Sequence, residues 1–295
     1  MKNVSLGNKP RYFNLLDLVA MIIALTIANV IGIIVPIFAI MPFSEVDIIE
    51  SLTSGEIVKN TLFVLLSYLI SFSLLLFFLV KYRKCRVSRE VNTPPLTPIF
   101  GKKIKSPINI IYGIIFISAI NIVIEPIIML FPEEIAKLEL LTLNIDIFTV
   151  ITVTILAPLL EEMIFRGVIF NDINRHLSTF TAILISSFIF GAIHLNIVQL
   201  IGGSLGAVAI CYVYLTTGSL WGAIVIHFFQ NSASLISNHF FGDYDTLQQL
   251  INNQPFYYLI YGVSMVIVVW FFRETINFSK ERDSHAKLTI KNNID

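Results

Sequence analysis

Leu159-Leu160-Glu161-Glu162-Met163-Ile164-Phe165-Arg166-Gly167 sets two adjacent carboxylates and a guanidinium inside an apolar run that extends from Ile147 to Phe170. Crossing the hydrocarbon of a bilayer takes about 20 apolar residues of helix, so the run can span a membrane. Ionisable groups at that depth are expensive unless paired or hydrated, and they mark a functional site by default. The rest of the chain is read by asking what surrounds these three residues.

The chain has 295 residues, of which 56% are hydrophobic and only 14% charged. Mean hydropathy is +0.80. A soluble domain carries roughly 25% charge, so a large soluble helical core is excluded. The formal net charge is zero. That balance implies neither an acidic nor a basic partner, and no nucleic acid. Two cysteines, Cys85 and Cys211, give no disulfide framework and no thiolate metal site.

Eight apolar runs follow one another: 15–40, 61–80, 108–130, 147–170, 178–195, 200–214, 220–236 and 256–272. The first is too long for the 7–15-residue apolar core typical of a signal peptide and reads as a retained membrane helix. The third is interrupted by Glu125-Pro126, where a proline frees a carbonyl and an acid can cap the kink or face a cavity. The sixth carries Gly202, Gly203 and Gly206, small residues that let membrane helices approach closely. No alternating strand pattern and no inverted repeat is evident.

The expected fold is all-α: a polytopic membrane bundle of about eight helices around a polar intramembrane cavity. Its parts are a hairpin with a basic loop (1–107), a helical core that holds the polar intramembrane residues (108–240), and a last span with a charged tail (241–295). With the N-terminus inside, seventeen of the 20 Lys and Arg residues fall in inner segments and two, Lys59 and Lys137, in outer loops. The positive-inside rule then puts both termini in the cytoplasm of a multi-pass protein of the cell membrane. Abundant Ile and Asn hint at an AT-rich bacterial source.

Three motifs carry chemistry. Glu162 and Arg166 are four residues apart and share a helix face, whereas Glu161 is rotated about 100° from Glu162 and stays available. Phe190 and His194 repeat the i, i+4 spacing in the fifth run. His227 and Asn231 repeat it in the seventh. An isolated membrane histidine is usually structural, but two Glu, one Arg, two His and one Asn on three spans point to a shared site. By simple rise per residue, His194 lies about 24 Å above the inner edge and Glu161 about 14 Å, a mismatch of depth.

Glu-Glu-x-x-x-Arg, then Phe-x-x-x-His, then His-x-x-x-Asn, in this order and in separate spans, resembles the CAAX-protease and bacteriocin-processing family of intramembrane proteases (CPBP, also called Abi). The likeness covers roughly residues 145–240. It implies Glu161 as the base that activates water and His194 as its assistant. His227 and Asn231 would stabilise the oxyanion, and Glu162 and Arg166 would organise the site. No Ser or Cys nucleophile is needed.

The family has been described both as metal-dependent and as glutamate-dependent. If zinc is used, His194, His227 and Glu161 are the expected ligands. The chain lacks the His-Glu-x-x-His spacing, and metal-free catalysis is favoured. The expected substrate is a prenylated C-terminus, a peptide precursor or another membrane protein. Two other readings use the same residues: a non-catalytic immunity or regulatory protein that binds a peptide partner, and a transporter relaying protons through its glutamates.

Overall fold

A computed structural model describes residues 15–40, 60–87, 104, 106–142, 145–241 and 246–292. Much of the acidic connection 41–60 and of the basic connection 81–107 lies outside the described residues. So do the basic N-terminus, Asp243 and Asp245, and with them many of the charges used to orient the chain.

The described residues form helices and no β-strand. They are α1 (Leu15–Ile40), α2 (Thr61–Val87), α3 (Ile108–Ile128), α4 (Pro132–Thr142), α5 (Ile147–Ile173), α6 (Thr179–Ala192), α7 (Ile197–Thr217), α8 (Leu220–Phe241), α9 (Leu247–Ile251) and α10 (Gln254–Asn292). In α2, α3, α5, α7 and α10 there is a stretch long and apolar enough to cross a membrane. The chain is an all-α, polytopic membrane protein. α8 has 22 residues, but His227, Gln230 and Asn231 dilute its apolar character midway.

Two connections differ from the expected loops. The acidic segment after α3 is itself helical, because Pro132 opens α4 and Glu133 and Glu134 occupy its first turn. A proline at the first helical position and acids beside the positive end of the helix dipole both favour a start there. The charged tail is not a separate element either. α10 is 39 residues long and carries the last span and the tail as one rod. After Gly262 no glycine or proline occurs to break it.

α7 lies at the centre, packed on α6, α3 and α8, while α10 closes the bundle against α3 and α6. Its residues from Gly206 to Val213 are all buried. One core cluster, with Ile164, Phe165, Phe170, Ile183 and Ala207, joins α5 to α6 and α7. A second joins α3, α7, α8 and α10, with Phe116 stacked on Phe271 at 3.9 Å. Gly191 sets the spacing of α6 and α7: a Cβ there would lie 2.6 Å from the Leu200 carbonyl oxygen. On the far side α1 packs along α2, and α2 packs along α5.

Candidate active site

α5 is a broken α-helix. Residues Ile151–Leu156 and Phe165–Phe170 form wider i→i+5 turns on either side of the α-helical piece Ala157–Ile164, which carries both glutamates. Such widened turns recur at functional sites. The cause of the first is Pro158, which has no N–H to donate. The Ala157 N–H bonds the Thr152 carbonyl in the i→i+5 register. The same register assigns the Val153 carbonyl to Pro158, which cannot reach it with a donor. Asn231 Nδ2 from α8 supplies that donor at 2.9 Å. At the second widened turn, Asn171 Nδ2 serves the carbonyls of Arg166 and Gly167, at 2.7 and 3.2 Å.

Four of the motif side chains are almost wholly enclosed, whereas His194 and Asn231 are half-buried. Glu162 is 0% exposed, Arg166 1%, Glu161 4% and His227 4%. Arg166 Nη1 donates to Glu162 Oε1 at 2.8 Å, and Nη2 donates to the Ala207 carbonyl of α7 at 3.0 Å. The guanidinium also lies over the Phe190 ring, 5.1 Å from its centre. The i, i+4 pair read from the sequence is therefore formed and tied to two further helices.

His227 joins the two glutamates. Its Nδ1 is 2.7 Å from Glu162 Oε1, and its Nε2 is 3.7 Å from Glu161 Oε2. A carboxylate only accepts, so Nδ1 is the donor in the shorter contact. Glu161 Oε1 accepts a hydrogen bond from the Tyr68 hydroxyl of α2. A row of polar groups thus runs from Tyr68 through Glu161, His227 and Glu162 to Arg166 and α7, hydrogen-bonded at every step except the 3.7 Å gap between Glu161 and His227.

His194 stands apart from this row. α6 ends at Ala192, so His194 sits in the turn that follows rather than on a helix face with Phe190. Its Nδ1 donates to the Phe190 carbonyl at 2.9 Å. The Phe190 ring contacts both imidazoles edge to face, with centroids 5.3 Å from His194 and 5.6 Å from His227. The depth mismatch has the same origin. The 14 residues of α6 rise only about 21 Å, short of the roughly 30 Å hydrocarbon. Leu195 then turns the chain at φ 54°, and Asn196 caps α7 by accepting from the N–H groups of Val198 and Gln199.

Asn231 has a partner of its own: its amide nitrogen donates to the Val153 carbonyl on α5. Among the described residues no three His, Cys, Asp or Glu side chains group closely enough to hold a metal ion. The set His194, His227 and Glu161 is not gathered, so no step is derived through zinc.

The sequence reading missed Tyr68. It is the tyrosine within an uncharged run, and a neutral phenol carries no signal of the kind that exposed the glutamates. Glu125 turns out to serve the fold: its carboxylate accepts from the Leu247 N–H at the start of α9, with the Tyr257 hydroxyl at 3.5 Å.

Residues 143–233 match the family described as "Type II CAAX prenyl endopeptidase Rce1-like". A protein of Bacillus subtilis (strain 168) with the name "Putative membrane peptidase YdiL" is 33% identical over 87 residues. That alignment covers 30% of this chain and 36% of the relative, so the chain spans about a third of the curated relative's length. No solved structure matches the chain. The resemblance read from the motifs is borne out over the matched segment. Glu161, Glu162, Arg166, His194, His227 and Asn231 all lie within it, and Tyr68 lies outside.

Proposed function

We propose that this chain is an intramembrane peptidase in which Glu161 activates a water molecule for attack on a peptide carbonyl. The observation that carries the reading is the pairing of Glu161 Oε2 with His227 Nε2 across 3.7 Å in an enclosed site. With the Nδ1 hydrogen given to Glu162, Nε2 presents a lone pair beside a carboxylate oxygen. A water that donates one hydrogen to each satisfies both acceptors and is positioned for deprotonation.

In the reaction Glu161 takes a proton from this water as its oxygen bonds the carbonyl carbon. The carbonyl electron pair moves to oxygen. Collapse of the tetrahedral intermediate breaks the C–N bond, and the proton on Glu161 passes to the leaving amine. Glu162 holds the tautomer and angle of His227, and Arg166 compensates the Glu162 charge. This assigns His227 to the water instead of the oxyanion. Asn231 keeps the widened turn of α5 intact about two helical turns before Glu161. His194, in the turn after α6 and in ring contact with Phe190, is assigned to substrate or oxyanion contact. The substrate is a peptide or membrane protein whose scissile segment can reach this depth.

The test compares wild type with Glu161→Gln on a peptide library in detergent, read by mass spectrometry, with and without a strong zinc chelator. Cleavage by wild type alone, resistant to chelator, is the expected result. Equal cleavage by both proteins refutes Glu161 as the base. Loss of wild-type cleavage with chelator refutes direct activation by the glutamate.

A further inference from the structure

We infer that Tyr68, on the N-terminal hairpin and outside the segment matched by the peptidase family, is a positioning residue of the active site. The inference rests on the peptidase reading and extends it to α2. The two glutamates are held very differently. Glu162 Oε1 receives His227 at 2.7 Å and Arg166 at 2.8 Å. Glu161 has His227 only at 3.7 Å, beyond a hydrogen bond, and the donor it does receive is the Tyr68 hydroxyl on Oε1. A glutamate carboxylate rotates about its last torsion in a broad, nearly two-fold well. Fixing Oε1 therefore fixes Oε2, the oxygen that faces His227. Without that bond the base is free to turn away from the water it is meant to share with the imidazole.

Tyr68 is built to hold its place. Its ring stacks on Phe72 one turn along α2, with centroids 4.2 Å apart and planes 13° from parallel. α2 packs along most of α5, so the phenol is delivered by a helix and not by a loop. α1 braces α2 from behind, where Gly32 admits Ser71 so closely that a Cβ would meet its hydroxyl at 1.8 Å. A second hydrogen bond, from the Thr61 hydroxyl to Asp146, joins the same two helices near the start of each. That bond lies well away from the glutamates and provides an internal control.

The experiment uses the full chain in detergent and three variants, Tyr68→Phe, Thr61→Val and Glu161→Gln, with a peptide that wild type cleaves. Tyr68→Phe keeps the stacked ring and removes only the hydroxyl. It is expected to lower kcat about 10- to 100-fold, the scale of one hydrogen bond to a charged group, with KM and the unfolding temperature near wild type. Thr61→Val, which loosens α2 from α5 elsewhere, is expected to keep kcat. The infrared difference spectrum of Tyr68→Phe against wild type should show a displaced carboxylate band, and the band should vanish when the pair is compared in a Glu161→Gln background.

A wild-type kcat in Tyr68→Phe overturns the inference, as does an equal loss of kcat in Thr61→Val or an unchanged carboxylate band. If Glu161→Gln itself cleaves normally, the peptidase reading fails, and the infrared comparison still decides whether Tyr68 holds Glu161.

Discussion

Replacing Arg166 by Met tests whether the buried charge network is a structural unit. The substitution keeps an unbranched apolar stem and removes the guanidinium. Three contacts disappear together: the 2.8 Å bond to Glu162, the 3.0 Å bond to the Ala207 carbonyl, and the face contact with Phe190. Glu162 remains, fully enclosed, with His227 as its one donor. Breaking a buried pair by removing one partner costs about 3–5 kcal/mol, because the other charge stays uncompensated. Against a total stability of roughly 5–15 kcal/mol this is a large fraction.

The assay is reversible unfolding in mixed micelles, followed by the fluorescence of the two tryptophans, Trp221 and Trp270. Arg166→Met should lose about 3–5 kcal/mol, Glu162→Gln less, and the double variant clearly less than the sum. A loss below about 1 kcal/mol in Arg166→Met, the scale of an exposed ion pair, would refute the reasoning. So would strict additivity of the two changes, which is the behaviour of sites that do not touch.

Two further predictions concern the first half of α5. Asn231→Leu should cost about 1 kcal/mol, the scale of one hydrogen bond at the part-buried Val153 carbonyl, and Pro158→Ala should recover part of it by restoring an N–H in the widened register; unfolding of the single and double variants checks this, and a Pro158→Ala change with no effect in the Asn231→Leu background removes the explanation. Asp146 at the start of α5 has its carboxyl held below the ordinary value, near 3.8, chiefly by the Thr61 hydroxyl and then by the Thr149 N–H. A depressed folded-state value stabilises the protein above the unfolded one and loses that contribution as pH falls through the folded value. Stability of wild type should therefore fall more steeply than that of Asp146→Asn below about pH 4, as measured by unfolding midpoints between pH 3 and 6.

What could be read from the sequence follows the cost of burying each group. Charges inside an apolar run are conspicuous, so Glu161, Glu162 and Arg166 were found, and their i, i+4 geometry follows from helix periodicity alone. Features that depend on where a helix stops were less legible. His194 has the same i, i+4 spacing from Phe190 but lies past the end of α6, because the turn at Leu195 and the cap at Asn196 end that helix early. His227 and Asn231 do share a helix, yet their partners differ. That difference depends on Pro158 and the register it imposes on another helix, which no local pattern on α8 contains. Some missed elements did carry a signal: Pro132-Glu133-Glu134 has the composition of a helix start, and the absence of breakers after Gly262 favours the single long α10.

Tyr68 shows a deeper limit. Its value to the site lies in a hydrogen bond to a residue 93 positions away, and a neutral phenol in a membrane helix is tolerated without any functional reason. The motif residues declare themselves because each is costly alone. The phenol that holds Glu161 does not, since its cost is small and its contact comes only from where α2 is laid against α5. The segment that resembles the peptidase family therefore holds the reactive groups but not the whole arrangement. A fragment limited to residues 143–233 would keep Glu161, His227 and the Glu162–Arg166 pair and lack the donor on Glu161. If orientation of that carboxylate sets the rate, the N-terminal hairpin is part of the catalytic apparatus.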